Sequence, residues 1–301
     1  MKTEIPWGLM IVIYLFTAGL SAGSMMTSNL ALLKDREKYG RIIRWGAYVT
    51  PFPISFGTGM LLLDLGSPFN FYRLFLTLQV RSAMSYGSWA ILLFAALSFV
   101  NLYLWLPDRY RPIKWPAEIE KWQRILAQLM PILSLIVASY TGFLLAEAMR
   151  PLWDTLLLPI LFLVSALSTG VAAVILTATL SHKNRIQHHE LHVLTLVDMI
   201  LILVELALFL GIILTLFAAS ESQKLAISSL LFGSYAWMFW LMIVVCGLLL
   251  PLGLELLELK GRIQLRWALP TTLGSSLLVL LGGFFVRYVI TYAGQLSRWI
   301  N

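Results

Sequence analysis

The stretch YLFTAGLSAGS, residues 14 to 24, decides the fold: one tyrosine leads a run of small residues inside an apolar segment long enough to cross a lipid bilayer. Two further stretches have the same build, DLGSP (64 to 68) and YTGFLLAEAMRPLW (140 to 153), each setting a few polar groups where a long apolar run ends. An ionisable side chain inside a bilayer costs about 2.5–3.5 kcal/mol on insertion scales, so a cluster of them marks a candidate functional site.

Outward from these stretches the composition is of one kind. The 301 residues are 59% hydrophobic and only 12% charged, with a mean hydropathy of +0.82; soluble domains carry about 25% charged residues. The chain is therefore an all-α integral membrane protein. Apolar runs of bilayer-spanning length predict eight helices, near 7 to 33, 45 to 63, 85 to 106, 124 to 146, 155 to 180, 193 to 219, 226 to 250 and 268 to 293. The longest connection, 64 to 85, is too short for a soluble catalytic domain, so any water-soluble chemistry belongs to a partner. A cleaved signal peptide is the competing reading of the first run. That run is too long, and the dense positive charge follows it, which fits an uncleaved helix with its N-terminus outside.

Charge orients the rest. Fifteen of the 22 Lys and Arg lie in the connections after the first, third, fifth and seventh runs, from Lys34 to Arg44, Arg109 to Arg124, Lys183 to Arg185 and Lys260 to Arg266. The remainder, counting Arg287, fall on the other side. The positive-inside rule then places both termini, the DLGSP loop and the loop from Ala146 to Asp154 outside a bacterial or archaeal cytoplasmic membrane. The net charge of +7 is thereby a topology signal and not a nucleic-acid footprint.

LFTAGLSAG (15 to 23) is repeated as FLVSALSTG (162 to 170), 147 residues later, and GSWA (87 to 90) as GSYA (233 to 236), 146 later. A unit of four helices repeated once gives parallel copies. The expected architecture is two side-by-side four-helix bundles, residues 1–150 and 151–301, with the polar stretches in the first.

The remaining chemistry is sparse. Cys246 is the single cysteine, which excludes an intrachain disulfide and a cysteine-held iron–sulfur cluster. All four histidines, His182, His188, His189 and His192, share one connection, so none can pair across helices to hold a haem. His188 and His192 have metal-ligand spacing, but with neither a cysteine nor a second carboxylate beside Glu190 they read as a solvated, pH-responsive loop rather than a metal site. In LTLVDMILILVELALF (194 to 209), Asp198 and Glu205 are seven residues and about 10 Å apart on one helix face. They read either as a proton path or as an interhelical hydrogen-bonding pair.

AGLSAG behind an aromatic start, DLGSP, SAMSYGSW (82 to 89), YTG followed by RPLW, FLVSALSTG and GGFFVRYVITYAGQ (282 to 295) together resemble the NrfD/PsrC family, the membrane subunits of polysulfide, nitrite and tetrathionate respiratory enzymes. The resemblance runs from the first helix to the eighth. It implies a subunit without haem or cluster that exchanges electrons between menaquinone or ubiquinone and a four-cluster ferredoxin-like iron–sulfur subunit, which serves a molybdenum or tungsten bis-pyranopterin catalytic subunit or a multihaem cytochrome. It also implies a quinone site near the outer face among the first helices. There Tyr14 and Tyr140 are the expected donors to the ring and Asp64 the proton acceptor or relay, with Glu147 and Arg150 closing the site. Arg73 and Arg81 are expected to dock the partner or lipid headgroups. Read without the resemblance, the tyrosines are interfacial belt residues and Asp64 caps a turn. A secondary transporter with parallel repeats and a purely structural anchor are the alternative functions.

Overall fold

Without water to satisfy them, backbone N–H and C=O groups in a bilayer must pair within a helix or a closed barrel. This sequence, with long unalternating apolar runs, takes the first course. A computed structural model of the chain describes residues 7–64, 83–111, 118–181, 187–262 and 265–299, and among these there is helix but no strand. Seven of the described helical segments are long and apolar enough to cross a membrane.

The helices are α1 (Leu9–Lys34), α2 (Gly40–Val49), α3 (Pro51–Asp64), α4 (Ala83–Trp105), α5 (Ile119–Ala146), α6 (Leu157–Leu180), α7 (His188–Ala218) and α8 (Glu221–Phe232). A wide π-type helix Met238–Leu249 then runs into α9 (Leu250–Leu259), and α10 (Leu265–Leu296) closes the fold.

Two predicted crossings differ from the observed elements. The second, 45 to 63, is two shorter helices. Pro51 supplies no N–H and ends α2, while Thr50 stays helical and bonds through both its N–H and its hydroxyl to the Gly46 carbonyl, at 3.3 and 2.7 Å. Within α2 the buried residues Ile42, Ile43, Gly46 and Ala47 form one stripe, and Arg44 faces out. The seventh predicted crossing, 226 to 250, begins later, at Met238, and extends to Leu259. Ser220 and Gln223 form a capping box that starts α8 as a separate helix, ended at Gly233.

The long helix α1 is the axis of the molecule, packed on α3, α5 and α6. Its closest approach is to α6, and the residues that meet are the two copies of the repeated motif. A Cβ on Gly19 would stand 3.2 Å from Ala166 Cβ, and the backbones of Gly23 and Gly170 touch with no room for a side chain on either. Ser24 Oγ donates to the Gly170 carbonyl across this seam at 3.3 Å. The contacts advance by four residues in the same direction on both helices, so α1 and α6 run parallel. Small residues are what such an approach requires in lipid, where association rests on van der Waals packing. At the end of α1 nearest Lys34, buried Glu190 accepts from the backbone N–H groups of Arg41 (3.1 Å) and Gln187 (2.9 Å), which fixes the start of α7 against α2.

Candidate functional site

The first turns of α1 and α4 and the last turns of α3 and α5 meet at one end of the molecule. Between them is a cavity of about 340 Å³, bordered by Trp7, Tyr14, Leu61, Ser88, Tyr140 and Glu147 among others. Tyr14 is 1% exposed, and its hydroxyl is buried with no hydrogen-bond partner among the described residues. Leaving such a group unpaired costs about 1–3 kcal/mol, a cost that a hydrogen-bonding guest removes. Tyr140, also buried, packs its ring into the place where Gly87 has no side chain. A Cβ there would fall inside the ring, which explains the glycine in SYGSW.

The wall at Trp7 is held from elsewhere in the chain. The Trp7 indole stacks on Trp153, with centroids 5.3 Å apart and planes 14° apart. Trp153 Nε1 in turn donates to the Ile290 carbonyl at 2.8 Å. Gln295 accepts from Trp7 N–H (3.0 Å) and donates to the Trp7 carbonyl (3.1 Å). The loop after α5 passes through Met149, at φ 48°, a left-handed conformation uncommon outside glycine. Its carbonyl accepts from Trp299 Nε1 at 2.8 Å.

Of the residues expected from the sequence, Tyr14, Tyr140 and Glu147 come together at this cavity. Arg150 does not join them. Its guanidinium donates to the Ser297 carbonyl at 3.4 Å, so it braces the last described turn. Asp64 is the final residue of α3, half-buried and three positions beyond Leu61, the residue of α3 that borders the cavity. Gly66, Ser67 and Pro68 of the DLGSP stretch, together with Arg73 and Arg81, lie outside the described residues. The sequence reasoning did not single out Trp7 or Ser88. Their only signal was position, since both fall at helix ends on the side where the tyrosines lie.

A second polar region is buried in the other half. Asp198 and Glu205 are 1% and 3% exposed and do share a face of α7, but each meets a different partner. Ser168 Oγ of α6 donates to Asp198 Oδ1 at 2.6 Å, and Glu255 of α9 faces the same carboxyl. Glu205 instead bonds Ser165 and lies beside Arg287. Arg287, counted from the sequence among outer-face charges, is fully buried inside α10. It donates to the Gly283 (3.0 Å) and Phe162 (3.1 Å) carbonyls and to Ser165 Oγ, with its guanidinium 5.3 Å from the Phe162 ring centre. Removing it from the outer tally deepens the charge asymmetry.

Among the described residues no three His, Cys, Asp or Glu side chains gather as a metal site. His189 Nε2 meets the Lys38 carbonyl at 2.9 Å, and His192 is exposed. A second cavity, of about 250 Å³, opens at the other end of α1 beside Lys34 and Tyr39, with an almost wholly apolar lining.

Comparison with known proteins adds the following. A family model described as "Polysulphide reductase, NrfD" matches residues 1–298. The C subunit of polysulfide reductase from Wolinella succinogenes is 29% identical, over 97% of this protein and 95% of that one. An NrfD homolog of Haemophilus influenzae is 26% identical, over 98% and 96%. The Hdr-like menaquinol oxidoreductase integral membrane subunit of Archaeoglobus fulgidus is 26% identical, over 89% and 66%.

Proposed function

From a protein that belongs to the NrfD polysulphide reductase family, a family of membrane subunits of oxidoreductase complexes, we propose a specific role: it exchanges electrons between the membrane quinone pool and an iron–sulfur partner subunit. The observation that carries this is the partnerless Tyr14 hydroxyl beside the Tyr140 ring at a cavity of quinone size. A quinone ring offers two carbonyl oxygens, which only accept, so a buried donor without a partner is complementary to it.

Reducing the ring takes two electrons and two protons. Tyr14 holds one carbonyl by donating its hydroxyl proton in a hydrogen bond, and Tyr140 orients the ring from the opposite wall of the slot. Trp7, Leu61 and Ile91 keep water from the ring's flanks. Glu147, which borders the cavity, and Asp64, at the end of α3, are the groups placed to exchange protons with water. Electrons come from or go to a four-cluster ferredoxin-like subunit docked on this end, itself serving a molybdenum or tungsten bis-pyranopterin enzyme or a multihaem cytochrome. The apolar side chains of Met149 and Leu156, 77% and 83% exposed in the loop between α5 and α6, support docking there. That the Wolinella relative is a subunit of polysulfide reductase and the Archaeoglobus one a subunit of a menaquinol oxidoreductase supports the same reading. The internal repeat supports a pair of parallel four-helix units, residues 1–150 and 151–301, joined at the Gly23–Gly170 seam, with α2 and α3 together as the eighth crossing.

Tyr14→Phe and Tyr140→Phe each remove one hydroxyl and keep the ring. Each is expected to slow quinone-linked turnover by tenfold or more on an order-of-magnitude scale, in a complex that still assembles and still works with an artificial electron carrier. Asp64→Asn should slow it less, because Asp64 stands beyond Leu61, the residue of α3 that borders the cavity. Unchanged quinone kinetics in both tyrosine variants would move the site elsewhere.

Orientation has its own test. A reporter active only in the cytoplasm should give signal when fused after residue 186 and none after residue 78, as the charge asymmetry requires. The reverse pattern would put the tyrosine cavity on the inner face.

A further inference from the structure

At the centre of the second half two carboxyl groups are each served on one oxygen by a serine. Ser168 Oγ donates to Asp198 Oδ1 at 2.6 Å, and Ser275 Oγ to Glu255 Oε1 at 3.0 Å. The other two oxygens, Asp198 Oδ2 and Glu255 Oε2, are buried and receive no donor from the described residues. Yet the two side chains face each other within hydrogen-bonding reach. An ionised carboxylate only accepts. Two of them held together out of water repel, and each serine has already committed its single proton. Something positive must lie between Oδ2 and Oε2.

The surroundings decide what it is. α6 offers the pair only Ser168, and α10 offers Ser275 and, further out, Thr272, whose hydroxyl donates to Glu258 at 3.0 Å. The wide helix beside them has Cys246 as its sole titratable group. Glu205 is two turns along α7, and the guanidinium of Arg287 lies on that side, bonded to Ser165 and to the Gly283 and Phe162 carbonyls. No fixed cation among the described residues therefore neutralises the pair. The two oxygens without a donor, Oδ2 and Oε2, fall well short of the roughly six ligands that hard metal cations gather. A proton needs two.

We propose that Asp198 and Glu255 form a proton-binding site, in which one proton is held between Oδ2 and Oε2 and is exchanged with the Lys260 end of α9 through Glu258. Glu258 is half-buried, one turn from Glu255 and two residues before Lys260. The proton moves from the Glu258 carboxyl to the pair and returns the same way, and no electron accompanies it. In the other direction the row stops. Beyond Asp198 come Glu205 and then Arg287, which is never deprotonated and turns back a second positive charge. The arrangement is a proton reservoir open at one end, not a through-channel. It deepens the reading of Asp198 as part of a proton path and does not rest on the tyrosine cavity, so the two readings fail separately.

Infrared difference spectra of the full-length protein purified in detergent, recorded in H₂O and D₂O, test this. A protonated carboxyl gives a carbonyl stretch distinct from that of a carboxylate, and deuteration shifts it. Wild type should show such a band, lost in Asp198→Asn and equally in Glu255→Gln, because each variant leaves the remaining carboxylate with an amide donor and no need of the shared proton. Glu205→Gln should retain it. Glu255→Asp, which keeps both carboxyls, should retain a displaced band and so separates loss of the proton from loss of the fold. Glu258→Gln should slow deuteration of the band. Absence of the band in wild type, its survival in both single variants, or deuteration unaffected by Glu258→Gln would overturn the proposal. So would a band abolished by Na⁺ and not by K⁺, which would make the site a sodium site.

Discussion

Arg287→Met is expected to destabilise the folded protein by about 3–5 kcal/mol, because removing the buried positive charge beside Glu205 leaves that carboxylate uncompensated. Methionine fills much of the volume but offers nothing to Glu205, and it releases the Phe162 and Gly283 carbonyls and Ser165 Oγ from their shared donor. Thermal unfolding in detergent would read the loss as a lower midpoint. Adding Glu205→Gln to the same variant should recover much of it, since a neutral amide needs no counter-charge. A double variant no more stable than Arg287→Met alone would mean that the arginine serves the carbonyls and not the carboxylate.

Gly170→Val should be comparably damaging for a different reason. Its Cβ would land on the backbone of Gly23 and Ser24, and no rotamer change can move a backbone. Overpacking a well-packed core typically costs about 1–3 kcal/mol when side chains can adjust, and here α1 and α6 must separate instead. Because α1 carries Tyr14, quinone-linked turnover should fall together with the unfolding midpoint. Gly59→Val, at a position where an added Cβ meets nothing within 4 Å, is the control and should leave the midpoint in place. Equal effects at the two positions would show that any valine harms these helices and that the seam is not special.

The membrane class was legible from composition, and most crossings from unbroken apolar length, because a bilayer imposes both. What escaped were breaks that depend on single residues. Pro51 divides the second predicted run, and the end of α8 at Gly233 detaches it from the helix beginning at Met238; hydropathy averaged along a window passes over both. At the cavity, Tyr14 and Tyr140 stood out through the family resemblance, since tyrosines at the ends of apolar runs are otherwise ordinary interfacial belt residues. The spacing of Asp198 and Glu205 correctly put them on one face, but spacing along one helix says nothing of what stands opposite. Glu255 lies beyond the predicted end of the seventh crossing at 250 and was not singled out. Arg287 read as an outer-face charge near the end of the eighth helix, although a lone arginine amid GGFFVRYVITY was itself the signal of a buried partner.

The clasp between Trp7 and Gln295 has a consequence for how the molecule comes into being. The two residues are 288 positions apart, so the wall at Trp7 gains its backbone partner only after α10 has left the ribosome. Helices α1 to α5 can be inserted, and their tyrosines brought together, well before that moment. Until α10 arrives, Trp153 also lacks the Ile290 carbonyl that holds its indole against Trp7. A nascent polypeptide, or one terminated before α10, therefore presents a loose, open-walled cleft, and competence to hold a substrate is acquired only once α10 is in place.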